Sequence, residues 1–322
     1  MSDTNVAPLF AHKVKRSLAS AGYRQTLIAI PAGEKSKTLE QVGAICDQMI
    51  TARLDRQSFV IGLGGGMIGD ISGFLAAIYH RGIPHVQIPT TLLAMIDSSI
   101  GGKTGVDTRD GKNLIGAFHQ PSLVIDDLDV LKTLPHRQFI QGFAEMIKHA
   151  IIADAKMFQK LQSWDQSSSL ASGALALQSL IKRNIQIKSR IVSKDERDRT
   201  GQRALLNFGH TVGHAIERAG NYDKFLHGEA VSLGIVAACA ISVKRAGLSS
   251  DQRAAIVNLL GRFGLPTRLP PKFPRKPILD AVNFDKKFDG GKIRFIVTPR
   301  IGVAYVAENV TPADIHEAIA QL

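Results

Sequence analysis

The chain has 322 residues, of which 44% are hydrophobic and 21% are charged. This length exceeds that of one typical core, so it predicts two domains with sizeable buried interiors. The formal net charge is +12, but lysines and arginines are scattered and only 6% of residues are aromatic. Nucleic-acid binding is therefore not expected, and a small anionic substrate explains the basic balance equally well.

Neither the N-terminal segment nor the longest apolar run indicates export or membrane insertion. The segment MSDTNVAPLF has no apolar stretch of signal-peptide length, and the longest apolar run, residues 230–243, is too short to cross a bilayer. Cys46 and Cys239 form no Cys-x-x-Cys pair and are typical of reduced, buried cysteines. We expect a soluble cytoplasmic protein that does not bind membranes, with residues 230–243 in a buried helix.

The first part of the chain alternates short β-rich runs with amphipathic helical stretches; the runs are TLIAIP, SFVIGL, HVQIPTT and SLVIDD. This alternation predicts an α/β domain with a mostly parallel sheet over residues 1–140. Helical periodicity then dominates residues 145–246, which predicts a mostly helical domain over 141–322. Near the C-terminus the runs IRFIVT and GVAYVA, separated by residues 299–301, predict a β-hairpin.

Three consecutive glycines, Gly64 to Gly66, lie between the predicted strand SFVIGL and the predicted helix MIGDISGFLAAIY. Glycines there allow a phosphate to approach backbone N–H groups at a helix N-terminus. The spacing is GGGxxGD and not GxGxxG, so a tight turn without a ligand is the alternative. Asp70 would either bind a ribose hydroxyl or interact favourably with the helix dipole.

A glycine-rich segment over residues 89–118 contains Asp97, Lys103, Lys112 and Asn113. We predict an open loop there, in which the ammonium groups meet a phosphate or a carboxylate. An ordinary solvated loop is the alternative, although so many glycines are unusual for a surface turn.

The segment LLNFGHTVGHAIE places His210 and His214 four residues apart on a predicted helix, and His227 follows. On another predicted helix, Glu145 shares a face with Lys148 and His149. The alternative is that this face is only structural, with a salt bridge and no metal. Two imidazoles and a carboxylate make a catalytic metal site with open positions. Spacing alone leaves open which two of the four histidines bind the ion, and HTVGH lacks the glutamate of HExxH proteases, which disfavours proteolysis.

Taken in chain order, these segments resemble the 3-dehydroquinate synthase family over nearly the whole chain. The motifs that carry the resemblance are GEKSK, GLGGGMIGD, RGIP, QIPTTLLAMIDSSIGGKTGVD, GKNLIGAF, LKTLP, GFAEMIKHAII, RALLNFGHTVGHAIE, LHGEAVSLG and DKK. The resemblance implies a Rossmann-like NAD-binding domain and a helical metal-binding domain, with the active site in the cleft between them. It also implies Zn²⁺ or Co²⁺ on Glu145, His210 and His227, with His214 in the substrate site.

The resemblance implies further site residues by position. Those expected to contact NAD are Asp3, Asn5, Glu34, Lys37, Gly65, Gly66, Gly69, Asp70, Thr90, Thr91, Lys103, Lys112 and Thr133. Those expected to meet substrate, with His214, are Asp97, Lys103, Asn113, Lys148, Lys188, Arg203, Asn207 and one of Lys286 or Lys287. Arg81 resembles an arginine that reaches the phosphate site of a neighbouring subunit, which implies a homodimer.

The reaction that the resemblance implies converts 3-deoxy-arabino-heptulosonate 7-phosphate to 3-dehydroquinate and phosphate. NAD⁺ removes a hydride from a carbinol carbon, the resulting ketone allows β-elimination of phosphate, and NADH returns the hydride before ring opening and aldol closure. There is no net redox change.

The chain departs from the family pattern at three places. Relatives begin roughly forty to fifty residues earlier, so opening strands of the NAD domain are expected to be missing, with Asp3 and Asn5 at a frayed terminus, unpaired sheet neighbours and weakened NAD affinity. The segment DERDRTGQR is one residue longer than the family spacing between Lys188 and Arg203. His149 is predicted to be a helix-face histidine without a catalytic role.

Three alternatives remain at this stage. One is another sugar phosphate cyclase, of the inosose or valiolone synthase type, although Asn207 with His210 and His214 fits the dehydroquinate type better. Another is a metal-dependent dehydrogenase of the glycerol type, which usually has a lysine where this chain has Phe74. The third is a non-enzymatic relative.

Overall fold

The computed structural model describes residues 1–109, 111–164, 174–284, 288–289 and 292–322. It separates into two compact units, Met1–Leu134 and Pro135–Leu322. The predicted substrate residues Lys286 and Lys287 lie outside the described residues. Within the described ranges, no helix combines the length and the apolar character needed to cross a membrane.

The first unit contains short parallel strands and crossover helices, as the sequence predicts. Its elements are β1 (Ser2–Asp3), α1 (Ala7–Ser20), β2 (Ala29–Ile30), α2 (Leu39–Thr51), β3 (Val60–Gly64), α3 (Gly66–Ile78), β4 (His85–Pro89), β5 (Lys103–Thr108), β6 (Gly111–Phe118) and β7 (Leu123–Val124). Strands β3, β4 and β7 form a parallel sheet in that order, and β1 pairs with β2 in parallel. The predicted parallel arrangement is confirmed.

The N-terminal residues are held in the sheet, so the prediction of a frayed terminus is wrong. The Met1 amino group donates to the Ile61 carbonyl at 2.8 Å, and the Met1 carbonyl accepts from Leu63 N–H at 3.0 Å. Ser2 is fully buried and its hydroxyl donates to the Leu63 carbonyl at 2.7 Å. The first residues therefore pair with both β2 and β3, because their backbone groups would otherwise be buried without partners.

The glycine-rich segment is not the open loop that its composition predicts. Residues 94–98 form one π-helical turn, and β5 and β6 form an antiparallel hairpin. Gly105 and Gly116 are paired across this hairpin, and a Cβ on Gly116 would lie 2.1 Å from the Thr104 carbonyl oxygen. These glycines permit close strand approach, which composition alone does not distinguish from loop flexibility.

The second unit is mostly helical, as predicted. Its elements are α4 (His136–Ala153), α5 (Ala155–Gln162), α6 (Ala174–Lys194), α7 (His210–Ala219), α8 (His227–Ala246), α9 (Ser250–Arg262), α10 (Lys276–Phe284), β8 (Phe288–Asp289), β9 (Lys292–Ile293), β10 (Phe295–Arg300), β11 (Val303–Ala307) and α11 (Pro312–Ala320). A 3₁₀ segment, Arg203–Asn207, lies directly before α7.

The predicted C-terminal hairpin is confirmed, but its turn lies later than the sequence indicates. Strands β10 and β11 are antiparallel, and the register shifts between Val297 and Arg300. Pro299 therefore lies within β10 at this irregularity, where a missing N–H is tolerated. The turn contains Gly302, whose φ of 93° favours glycine.

Helix α8 is the buried centre of the second unit, which confirms the prediction from its apolar run. Residues on all of its faces are buried, including Val231, Ile235 and Cys239. Gly234 lies against α7: a Cβ there would be 1.9 Å from the Gly209 carbonyl oxygen. The contact brings the backbone that leads into His210 directly against the helix that begins at His227.

Replacing Gly234 by alanine should destabilise the fold, because the new methyl group overlaps backbone that cannot rotate away. We expect Gly234→Ala to lower the free energy of unfolding by about 3 kcal/mol in denaturant titrations. Gly261→Ala is the matched control: Gly261 lies in α9, and the nearest atom to its added Cβ is 4.0 Å away. The control should be neutral or slightly stabilising, by up to about 1 kcal/mol; equal effects of the two substitutions would contradict this packing.

A stacked histidine pair lies in the first unit. His85 has no exposed surface, and its ring stacks on His119 with centroids 5.0 Å apart. The His85 Nδ1 atom has no hydrogen-bond partner within the described residues. Burial, with a smaller contribution from His119, lowers the pKa of His85 to about 4. His85 is therefore neutral in the folded protein at pH 7.

The free energy of unfolding should fall as the pH falls from 7 to 5. The unfolded chain binds a proton at His85 with a pKa of 6.5, whereas the folded chain does so only near 4. The contribution of neutral His85 to the free energy of unfolding is therefore fully present above pH 6.5 and is lost as the pH falls toward 4. About 2 kcal/mol of it is lost by pH 5. Urea titrations of the wild type and of His85→Gln test this. Between pH 7 and pH 5 the variant should lose about 2 kcal/mol less free energy of unfolding than the wild type. If the two proteins lose the same amount, His85 does not titrate as stated.

Candidate metal and nucleotide sites

Three side chains from three helices meet inside the second unit. Glu145 lies in the middle of α4, His210 is the first residue of α7, and His227 is the first residue of α8. The Glu145 Oε1 atom is 3.3 Å from His210 Nε2 and 3.4 Å from His227 Nε2. Their potential ligand atoms all lie within 4.8 Å of one another. The structure thus brings together the three residues that the family resemblance implies as metal ligands.

The far side of each imidazole contacts an acceptor that orients the ring. His210 Nδ1 is 3.2 Å from the Phe208 carbonyl oxygen, and His227 Nδ1 is 3.3 Å from Glu217 Oε2. Because a carbonyl and a carboxylate only accept, each Nδ1 carries the proton and donates it. Both Nε2 atoms therefore face the same carboxylate oxygen of Glu145.

Such an arrangement fits a cation. Glu145 is fully buried, Lys148 forms an ion pair with its Oε2, and no donor within the described residues makes a well-aligned hydrogen bond to Oε1. Although burial raises the pKa of Glu145, Lys148 and His210 hold it well below its usual value. Burial and Lys148 lower the pKa of His210, which favours a neutral ligand. Burial also lowers the pKa of His227, but Glu145 and Glu217 outweigh it and raise that pKa to about 10, so the His227 imidazole is protonated on both nitrogens at pH 7. A divalent ion would replace the proton on His227 Nε2, and an anionic oxygen with two imidazole nitrogens suits such an ion.

His214 lies one turn after His210 on α7, and its ring centroid is 5.1 Å from that of His210 and 6.2 Å from that of His227. A second set of potential ligand atoms, from His214, Glu217 and His227, also converges. In this set His227 would use Nδ1, the atom that already faces the buried Glu217 carboxylate. His214 is exposed, whereas Glu145 is not, so the first set is the better enclosed of the two.

Sequence reasoning missed two residues here. Glu217 orients His227, and its position seven residues after His210 on α7 was a usable signal, since that spacing returns to the same helical face. Asn184 of α6 lies 2.5 Å, through Oδ1, from Nδ1 of His149. His149 is fully buried with this partner. Nothing local in the sequence indicates that pair, because its members are 35 residues apart.

Three of the cationic residues predicted for substrate lie in buried positions of the second unit. Lys148, Lys188 and Arg203 are each less than a tenth exposed. The Arg203 backbone N–H donates to Asp195 Oδ2 at 3.3 Å, and its side chain donates to the Glu196 carbonyl at 2.9 Å. Asn207 ends the same 3₁₀ segment that Arg203 begins.

In the first unit, three predicted residues surround the ammonium group of Lys37, and a fourth, Lys112, joins them through Glu34. Its Nζ is 2.6 Å from Asp70 Oδ2, 2.5 Å from Asn113 Oδ1 and 3.8 Å from Glu34 Oε1, and Lys112 Nζ is 3.7 Å from the same Glu34 atom. Burial lowers the pKa of Lys37, but Asp70 and Glu34 outweigh it and hold that pKa raised. Asn113, predicted to bind substrate, thus lies among residues predicted to bind NAD.

The glycine turn forms the start of a long buried helix. Gly65 is the N-cap of α3 and Gly66 is its first residue. A Cβ on Gly66 would lie 3.0 Å from Ser98 Oγ, which is buried without a hydrogen-bond partner among the described residues. An unpartnered hydroxyl beside the N-terminus of a helix suits a phosphate of a dinucleotide.

The remaining predicted residues of the first unit have structural contacts of their own. A Cβ on Gly69 would lie 2.9 Å from Gln87 Oε1. Thr90 donates its N–H to the Gly64 carbonyl, Thr91 Oγ1 accepts from Ala94 N–H, and Thr133 Oγ1 donates to the Val130 carbonyl. Asp97 lies in the π-helical turn, and Lys103 is the exposed first residue of β5.

Two further predicted positions lie at turns. Asp3 Oδ1 accepts from the N–H groups of Asn5 and Val6, so this carboxylate shapes the turn into α1. Arg81 is exposed and has φ of 68°, between His80 at 49° and Gly82 at 125°. Three consecutive positive φ angles are strained for the two residues that carry side chains.

Comparison with known proteins places this geometry in a family. Residues 27–141 match the 3-dehydroquinate synthase N-terminal family, and residues 142–288 match the 3-dehydroquinate synthase C-terminal family. A 3-dehydroquinate synthase of Desulforamulus reducens is 44% identical over 321 residues, which cover 100% of this chain and 89% of that protein.

Two solved structures share the fold over 99% of this chain. One is 2-epi-5-epi-valiolone synthase from Streptomyces hygroscopicus with NAD⁺ and Zn²⁺ bound, with a TM-score of 0.90, 30% identity and 89% of that chain covered. The other is 2-deoxy-scyllo-inosose synthase complexed with carbaglucose-6-phosphate, NAD⁺ and Co²⁺, with a TM-score of 0.87, 25% identity and 89% covered. With both halves matched to one family and whole-length relatives under one name, the chain belongs to the 3-dehydroquinate synthase family.

Proposed function

We propose that the chain converts 3-deoxy-arabino-heptulosonate 7-phosphate to 3-dehydroquinate and phosphate, a step of aromatic amino acid biosynthesis. The observation that carries this proposal is the convergence of Glu145, His210 and His227 in a chain that matches proteins named 3-dehydroquinate synthase over 94–100% of its length. A cytoplasmic location accords with Cys46 and Cys239, which are both free thiols.

The residues present fit both cofactors of the solved relatives. Glu145, His210 and His227 would hold Zn²⁺ or Co²⁺, which supplies Lewis-acid polarisation of a substrate oxygen. The turn at Gly65 and Gly66 and the cluster around Lys37 would hold NAD, which supplies reversible hydride transfer.

The chain's own cations supply substrate binding and orientation. Lys148, Lys188 and Arg203 are buried, so their charges act through a medium that screens them less than water does. They suit the carboxylate and phosphate groups of the substrate, and Arg203 has a fork of donors for a bidentate contact. Fixed cations hold the reacting chain in one conformation, which contributes to the rate by orientation. His214 is exposed beside the ligand set, where it would contact substrate and not the ion.

We also propose a homodimer. The strained turn that carries Arg81 holds this arginine outward at an exposed position, as expected if it reaches a second subunit. On β6, Leu114 and Ile115 are 54% and 37% exposed, so both faces of this strand present apolar side chains to the surface. A second copy would cover such an edge.

The other cyclases and the dehydrogenases are less well supported. The inosose and valiolone synthases match at 25–30% identity, whereas the 3-dehydroquinate synthases match at 44–46%. Phe74 occupies the position where a lysine is expected in glycerol-type dehydrogenases, and it is buried. A non-enzymatic role is disfavoured because Glu145, His210 and His227 converge within the second unit.

The decisive assay supplies the heptulosonate phosphate, catalytic NAD⁺ and Zn²⁺, and measures released phosphate together with absorbance of NADH. We expect phosphate release without net NADH, and a loss of at least about 10³-fold in kcat/KM for Glu145→Ala with loss of bound zinc. Glu317→Ala, an exposed glutamate of α11, is the control and should retain both. NADH accumulation with glycerol would favour a dehydrogenase, and full turnover by Glu145→Ala would refute the ligand set.

Glu217 should act as a positioning residue for His227 through its contact with Nδ1. A neutral amide at this position orients the ring less firmly and makes it less basic, so we expect Glu217→Gln to weaken zinc binding about 10-fold to 100-fold. Competition with a chromogenic chelator measures this affinity independently of turnover. Glu317→Gln carries the same charge change at an exposed site and should leave zinc affinity unaltered; an unaltered affinity in Glu217→Gln would show that this contact does not orient the ligand.

A further inference from the structure

The second unit contains a cavity that none of the proposed site residues lines. Its volume is about 430 Å³, and it lies between the C-terminal turns of α6, the residues just before the 3₁₀ segment, and the hairpin of β10 and β11. This volume is within the range that small-molecule sites occupy in proteins.

Three cations face this cavity and no carboxylate lines it within the described residues. Arg190 and Lys194 are one turn apart on α6, and Arg294 immediately precedes β10. None of the three forms an ion pair within the described ranges. Like charges around one cavity repel each other, and an anion inside it would remove that repulsion.

The loop beside the cavity is shaped to admit the third cation. Gly201 has φ of 81°, and a Cβ there would lie 2.6 Å from Arg294 Nη2, so the guanidinium rests directly against this glycine. Asp195 holds the loop in place, because its Oδ1 accepts from the N–H groups of Arg199 and Thr200 at 2.7 Å and 3.1 Å. Thr200, Gly201 and Gln202 of this loop line the cavity.

The rest of the wall is apolar and aromatic. Ile191, Leu205 and Val306 line it, and Tyr305, which is 41% exposed, adds a ring with a hydroxyl group. A bare inorganic ion would use the cations and leave this surface unused. The combination suits a compact anion attached to an apolar body.

We propose that this cavity binds a small cyclic or aromatic organic phosphate or carboxylate, at a site separate from the one for substrate. Arg190, Lys194 and Arg294 bind the anionic group, and Ile191 and Tyr305 contact the ring. The occupant contacts Gln202, which lines the cavity. Gln202 immediately precedes the buried Arg203 in the chain.

Isothermal titration of the zinc- and NAD-loaded protein with phenyl phosphate and with inorganic phosphate tests the proposal. We expect phenyl phosphate to bind more tightly than inorganic phosphate, and the double variant Arg190→Gln/Arg294→Gln to bind it at least about tenfold more weakly. Lys194→Glu, a single charge reversal at the helix surface, should weaken binding in the same direction and serves as the second variant.

Two matched variants separate this site from other sources of binding. Arg218→Gln/Arg268→Gln removes the same charge from two exposed arginines outside the cavity and should retain binding. Lys103→Gln changes an exposed residue proposed for the substrate site and should also retain it. The proposal is overturned by unchanged affinity in the cavity variants, by an equal loss in the Arg218/Arg268 control, or by a loss confined to Lys103→Gln.

Discussion

The carboxylate of Glu145 is the constraint on which the second unit depends. A fully buried carboxylate is costly unless positive charge surrounds it, and the Glu145 side chain has no exposed surface. Lys148 compensates one oxygen, and the Nε2 atoms of His210 and His227 face the other. A divalent ion held by these three residues would replace the His227 proton and add positive charge beside the buried carboxylate. Positive charge around Glu145 is therefore needed both for the stability of the fold and for the metal site.

Close backbone contact makes this convergence possible. Three helices must approach one another for three short side chains to share one ion, and larger residues at the contacts would hold them apart. Gly228 and Gly234 of α8 lie against backbone of α4 and α7, where a Cβ would come within 2.0 Å and 1.9 Å of a carbonyl oxygen. His210 and His227 begin their helices at these contacts, so each imidazole is placed by a helix start whose position the packing determines.

The limits of sequence reasoning are clear in the glycine-rich segment and at the N-terminus. A glycine-rich sequence predicts a flexible loop, but Gly105 and Gly116 allow two strands to pair more closely than larger residues would. The terminus was expected to fray because relatives begin earlier, yet the backbone of Met1 and Ser2 pairs with residues on both sides of it. In both cases the deciding partners are distant in sequence, and no local pattern reports them.

From sequence alone, the alternation of β-rich runs and helices determined the fold class, and helical spacing identified the histidines and Glu145 as candidates for a metal site. These properties are local, since periodicity and motif spacing are set by neighbours along one element. Only the tertiary structure decided which imidazoles face Glu145, that Glu217 orients His227, and that Asn113 lies beside Lys37. Those contacts join residues up to 82 positions apart. They depend on how whole helices and strands pack, and a one-dimensional pattern does not contain that information.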